Sequence, residues 1–151
     1  MILDERSEFA DSVNINTGPA GIYNIGDVID RAGPPQWPNA APALDLNLYL
    51  VVMVSADFTG GGTAAFRLVS DDTSVPSTSA ATVHFTSGAF TAAQATKGRM
   101  LFAWPMSAAA AKRYLGVQQI TAGTAFFGGA IDIFMTDDFS SLGRVYAKAA
   151  Q

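Results

Sequence analysis

The sequence has no cysteine and a single histidine, His84, which excludes disulfides, thiolate metal sites and any nucleophile built on a Cys–His pair. Charge is also scarce: charged residues are 15% of the 151, against roughly 25% in ordinary globular domains. The nine cations fall singly apart from Lys97 with Arg99 and Lys112 with Arg113, and thirteen acids leave a net charge of −4. A surface of that sign is repelled by phosphate, so nucleic acid is not an expected partner. No apolar run approaches the ~20 residues of a membrane helix, because the longest, 48–54, stops at Ser55 and Asp57. The opening MILDERSEFADSV lacks both the basic and the apolar regions of a signal peptide, so no secretory leader is expected there. Strong helix formers cluster only in SAAAAK at 107–112, which at that length predicts a single turn.

What the chain does have is apolar residues, 49% of the total, spread along its length. That suffices for one core and leaves weakly polar surface best buried in an assembly. The organising stretch is 44–70. Leu44, Leu46, Leu48 and Leu50 alternate with polar or small residues, the period-two pattern of a strand with one buried face. Val51, Val52, Met53 and Val54 then run on without a break, which predicts cover on both sides. Gly60, Gly61 and Gly62 suit a hairpin turn, after which Ala64, Phe66, Leu68 and Val69 are expected to fold back on the first run.

In chain order, 1–21 is an N-terminal arm, compatible with a helix over 4–13 capped by Asp4 or with an extended segment that docks on a neighbour. A strand is expected over 22–29, interrupted at Gly26, and Pro34, Pro35, Pro38 and Pro42 make 31–43 a surface loop carrying Trp37. Residues 73–81 predict a loop crossing between sheets, 82–86 and 90–93 short strands, and 99–104 a strand with Met100, Phe102 and Trp104 on one face. A second long hairpin is expected from 114–120 and 125–135 about Gly123. The two hairpins resemble each other: each begins Tyr-Leu, turns at glycine and ends in an Asp-Asp pair, as a weak repeat within a double Greek key would. Many short strands and glycine turns with almost no helix indicate an all-β domain, a jelly-roll or Greek-key β-sandwich in a single unit over 1–151.

Catalytic constellations are absent from the pattern. His84 lies in TVHFT on an expected strand, facing solvent or a polar neighbour, and no nucleophile-elbow pattern accompanies it. Gly60–Gly62 is not followed by the Lys and Ser or Thr of a phosphate loop. Asp71-Asp72 and Asp137-Asp138 raise calcium, but neither has spaced oxygen ligands, and paired aspartates at strand ends serve as turn residues that bind backbone amides. Trp37 suits stacking on a sugar, plugging a neighbouring subunit or folding over its own proline loop, while Trp104 suits the core. No enzyme activity, cofactor or metal is expected.

The opening MILDERSEFADSV, NIGDVID at 24–30, LYLVVMVSADFT at 48–59 and KRYLGVQQITAGTAFFGGAIDIF at 112–134 resemble the capsid cement proteins of tailed bacteriophages, in particular the Bordetella phage type. The similarity runs in order through most of the chain, and the initial Met-Ile-Leu-Asp, with a Phe and an Asp soon after, is its most telling motif. GPPQWPNAAP departs from it, where a shorter loop is expected, and the tail from Phe139 has no counterpart. The resemblance implies a jelly roll on the outer surface of an icosahedral virion shell, assembled in the host cytoplasm as a homo-oligomer, dimer or trimer. Its implied role is to bridge adjacent major capsid proteins, away from DNA and membrane. The expected partner contacts are Met1, Ile2, Leu3 and Phe9 of the arm together with Trp37. A calcium-assisted carbohydrate-binding jelly roll, using Trp37 and the Asp pairs, is the alternative.

Overall fold

A computed structural model describes residues 8–31, 48–106 and 111–137. Within these, nine strands and no helix are found: β1 (Glu8–Asn14), β2 (Gly21–Asp30), β3 (Tyr49–Gly60), β4 (Thr63–Asp71), β5 (Thr82–Thr86), β6 (Phe90–Thr91), β7 (Met100–Pro105), β8 (Tyr114–Ala122) and β9 (Phe126–Thr136). They form two antiparallel sheets, ordered β1-β9-β3-β7 and β2-β8-β4-β5, with the short β6 also on β4. Strands adjacent in sequence are dealt to opposite sheets (β1 and β2, β3 and β4, β8 and β9), which is the double Greek key of a jelly roll. The expected all-β sandwich is thus the observed fold.

The two expected hairpins are not hairpins. β3 and β4 lie in different sheets, as do β8 and β9, so Gly60–Gly62 and Gly123 are corners at which the chain changes sheet. The partner of β3–β4 is instead β8–β9. Tyr49 faces Thr136 in one sheet and Asp71 faces Tyr114 in the other; the register over 49–54 is disturbed at the corner and recovered unchanged at Thr63. The central body is therefore one long two-stranded ribbon bent over on itself. The likeness between the two stretches has a structural counterpart, since each is a strand, a corner and a strand, and each is the other's partner.

Glycine is required where the bend brings backbones together. A Cβ on Gly62 would sit 2.1 Å from the Thr124 carbonyl oxygen, and Gly60 combines a φ of 134° with the Phe126 Cα at 3.0 Å. No side chain fits between chains that close.

The core lies between the sheets. Leu50, Val52, Val54, Phe66, Leu68, Leu115, Val117, Phe126, Ile131 and Ile133 are buried there, and each large side chain contributes on the order of 1.5–3 kcal/mol by leaving water. The expectation that 51–54 is covered on both faces holds: Val51 and Met53 are equally buried but belong to a separate cluster with Phe134 on the outer face of the sheet.

Four further expectations are corrected. From Glu8 the arm is an edge strand, not a helix, and its Phe9 is wholly buried in the chain's own core. Met100 does not share a face with Phe102 and Trp104. β3 pairs Val52 with Phe102 but Met53 with Met100, so Leu101 is a bulged extra residue that turns Met100 to the outer cluster. The loop 73–81 joins neighbouring strands of one sheet and lies over that sheet's outer face. There Asn24 Nδ2 and Gln118 Nε2 donate to the Pro76 carbonyl, and Arg67 donates to that of Thr78. At 99–104, the strand extends through Pro105, which a sheet edge tolerates. The interruption expected at Gly26 is present: it has a φ of 72°, a Cβ there would collide with the Phe9 carbonyl, and the β2–β8 register shifts between Ile25 and Ile29.

Candidate functional site

The jelly roll gathers its chemistry at one end. Glu8 opposite Phe134, Tyr49 opposite Thr136 and Pro105, and Asp30 and Asp71 opposite Tyr114 mark this end in the two sheets. It holds Asp30, Arg31, Asp71, Asp72, Lys112, Arg113 and Asp137, together with the pair Ser70 and His84.

His84 is a bulged residue: β4 pairs Leu68 with Phe85 and Val69 with Val83, leaving His84 without a ladder partner. Its ring thereby reaches inward, and Nε2 lies 2.7 Å from Ser70 Oγ, which also accepts the Lys112 amide at 3.0 Å. Burial, and secondarily the positive Arg31 guanidinium, hold His84 below the ordinary imidazole value. Ser70 Oγ and His84 Nε2 share one hydrogen bond, in which the hydroxyl donates if the ring carries its proton on Nδ1 and the ring donates if it carries it on Nε2. Arg31 in turn donates to the carbonyls of Ala111, at 2.6 Å, and Lys112.

Ser–His proximity suggests a nucleophile, but Ser70 is fully buried and its hydroxyl already has two partners. The pair fastens β4, β5 and the 111–113 segment together. His84 thus has the polar neighbour expected for it, and that neighbour is Ser70.

The carboxylates are similarly occupied. Asp71 accepts the Asp72 amide on Oδ1 and the Ser77 amide on Oδ2, and these two bonds, Ser77 first, lower its pKa below the usual aspartate value. Arg113 makes a two-pronged contact to Asp30 at 2.8 and 2.9 Å, and Lys112 lies 3.5 Å from Asp72. Among the described residues no group of three or more His, Asp or Glu is arranged to hold a metal ion. Asp137 is exposed, and Asp138 lies outside the described residues.

Of the expected partner contacts, Met1, Ile2, Leu3 and Trp37 lie outside the described residues. Phe9, expected in the same contact, is committed to the core, and a wholly buried side chain offers a partner nothing. Trp104 is packed against the core, stacked on Phe85 at 4.7 Å and 15°, with Phe102 and Phe90 continuing the aromatic seam along the β5–β7 side.

The opposite end of the sandwich is chemically blank. It is built from the β1–β2 connection, the two glycine corners and the 92–99 connection between β6 and β7; the sequence over 12–26, 58–66 and 114–131 holds no charged residue, and the 92–99 connection carries Lys97 and Arg99. Among the described residues, charge meets it at the β7 flank, where Asp57 accepts the Lys97 amide beside Arg99, and at Ser12, whose amide donates to Asp132. One large side chain stands out from this tip: Phe127, 78% exposed, next to the buried Phe126. Sequence reasoning passed over Phe127 because it sits in a run of apolar residues that looks like continuous core. The signal that was available is the length of the three charge-free intervals.

A model of the Bbp16 family matches residues 26–135, from the Gly26 bulge nearly to the end of β9. Curated proteins give no match. The matched span includes GPPQWPNAAP and leaves out the opening MILDERSEFADSV and the tail from Phe139. Covering well over half of the chain and the jelly roll from the middle of β2 to β9, the match shows that this protein belongs to the Bbp16 family, a family of Bordetella phage proteins.

Proposed function

We propose that the protein is a capsid cement protein, binding the outer surface of an expanded icosahedral phage head and bridging neighbouring major capsid proteins. The observation that carries this reading is where its resemblance to cement proteins falls. Two of the similar stretches, 48–59 and 112–134, supply β3, β8 and β9, three of the four strands of the central folded ribbon, within a chain of a phage family. A low-charge surface suits burial against a shell, and a net negative charge gives no attraction to packaged DNA.

Such a protein acts by mass action. It binds the expanded lattice better than the alternatives, and many modest contacts per oligomer add through effective concentration. No reaction step is part of this role; the buried, doubly bonded Ser70 hydroxyl supports a non-enzymatic reading. Met1, Ile2, Leu3 and Trp37 remain the proposed shell contacts. The carbohydrate alternative has less support: among the described residues no acidic group is arranged to hold the calcium it needs, and each Asp71 oxygen already accepts a backbone amide.

Purified protein added to stripped, expanded phage heads is expected to rebind saturably, with a fixed number of copies per head, and to raise the temperature at which the shells come apart. Heads that take up no protein under these conditions rule the role out. Deleting residues 1–7 is expected to reduce occupancy; unchanged occupancy assigns the contact elsewhere.

A further inference from the structure

The four edge strands of the sandwich are not alike. β1 and β2 close one side, where Gly26 leaves no room for a side chain beside the Phe9 carbonyl. Both carry acids, Glu8 and Asp11 on the first and Asp27 and Asp30 on the second. β5 and β7 meet on the opposite side through their rings, and among the described residues neither has a strand on its outer edge. That side carries no charge: Asp, Glu, Lys and Arg are absent over 82–96 and 100–106, and the ring of His84 is turned inward to Ser70.

An unpaired strand edge presents a row of backbone donors and acceptors, and a protein that does not use such an edge blunts it, most often with charge. The acids of β1 and β2 are of that kind. β5 and β7 have only their bulges at His84 and Leu101, and β7 is regular again from Phe102 to Pro105.

Between these two edges runs the aromatic seam. Phe85 of β5 stacks on Trp104 of β7 at 4.7 Å and meets Phe102 at 5.4 Å, and Phe102 stacks on Phe90 at 6.3 Å. All four rings are only partly buried, unlike the edge-to-face pair of Phe58 and Phe126 inside the core. Partly exposed rings in a strip depleted of charge have the composition of an interface centre. The strip also dictates what can cover it. An extended backbone satisfies the free edge of β7 and brings alternate side chains onto the rings, whereas a charged side chain placed there loses water and finds no counter-charge over 82–96 or 100–106.

We propose that the β5–β7 flank receives an extended, uncharged segment of a shell subunit, added as a strand to β7 with its apolar side chains seated on Phe85, Phe102 and Trp104. The partner's identity rests on the cement reading above; its chemistry rests on the bare edge and the seam.

Hydrogen–deuterium exchange of the wild type, free and bound to stripped, expanded heads, tests it. Amides over 82–86 and 100–106 are expected to exchange about tenfold or more slowly on heads, and those of the exposed loop around Val75 to exchange as in the free protein. Thr82→Lys and Thr86→Lys each place a cation at an exposed position of β5 and are expected to lower head affinity about tenfold or more. Val75→Lys, at a 71% exposed residue, is expected to bind as the wild type does. Unchanged circular dichroism and thermal midpoints should confirm that the variants are folded. Heads that bind the wild type with exchange at 82–86 and 100–106 unaltered, or that bind both threonine variants as tightly as the wild type, overturn the proposal and leave the cement reading standing. Heads that take up no wild type overturn both. Slower exchange of these segments on raising the protein concentration without heads assigns the flank to a second copy, and overturns the proposal too.

Discussion

The two ends of the sandwich are held together by different physics. At the corner end the ribbon turns on close backbone contact, with Gly62 and Gly60 against Thr124, Ala125 and Phe126. At the other end the closing forces are side-chain hydrogen bonds and ion pairs: Ser70 to His84, Arg31 to the 111–112 carbonyls, Arg113 to Asp30. A contact made of two backbones has no slack, because neither can change rotamer. A contact made of polar side chains can be weakened by degrees, by substitution or by protons.

This contrast sets the order of expected effects. The largest is at the corner. Gly62→Ala places a methyl group 2.1 Å from a carbonyl oxygen and is expected to cost upward of ~3 kcal/mol in chemical denaturation. Gly88→Ala, where an added Cβ meets nothing within 4 Å, is its control and should be close to neutral. If both glycines tolerate alanine alike, the close approach is not what holds the bend.

Next comes Ser70→Ala, which strips the Lys112 amide and His84 Nε2 of their common partner. It is expected to cost roughly 1–3 kcal/mol in the same assay. A neutral result at this buried position means that the polar pair contributes little to closing the end.

Acid titration separates the ends without mutation. Folded His84 takes its proton less readily than the unfolded chain does, so below the ordinary imidazole value of 6.5 the unfolded state binds more protons. Stability is expected to be full above that pH and to fall as the pH drops toward the folded value. His84→Gln should flatten the slope. Asp71, depressed by the Ser77 and Asp72 amides, acts in the same sense but lower, beginning below its ordinary 3.8. An unfolding free energy independent of pH between neutrality and the aspartate range contradicts the His84 account. The smallest effect is expected for Arg113→Ala. It removes an exposed pair of the kind that contributes little, so the thermal midpoint should hardly move.

Periodicity in the sequence reported faces well and partners poorly. The unbroken run 51–54 signalled double cover, and Val51 and Val52 are indeed buried on opposite sides of one sheet. The same period gives no sign of which strand lies alongside. Gly60–Gly62 between two apolar runs fits a hairpin turn and a sheet-to-sheet corner equally, and only the distant pairing with 114–136 decides between them. One extra residue defeats the count locally: Leu101 turns Met100 over, and His84 is re-aimed toward Ser70 in the same way. In the sequence Phe9 looks like part of a free arm, because β1 loses its alternation around Ser12, where φ is 50° and the register with β9 shifts. The buried Ser70–His84 pair had no local signature at all, since its members are brought together across two strands by a bulge.

The folded ribbon also dictates when the molecule can come into being. β9 hydrogen-bonds to both β1 and β3, yet it is synthesised after the eight other described strands. Until it emerges from the ribosome, β1 and β3 have no strand between them, and the nascent chain must carry its long apolar stretches unsheltered. Folding that waits on pairings so remote in sequence is slow, on the order of milliseconds to seconds, which makes the interval before closure the period when this chain is most exposed to aggregation.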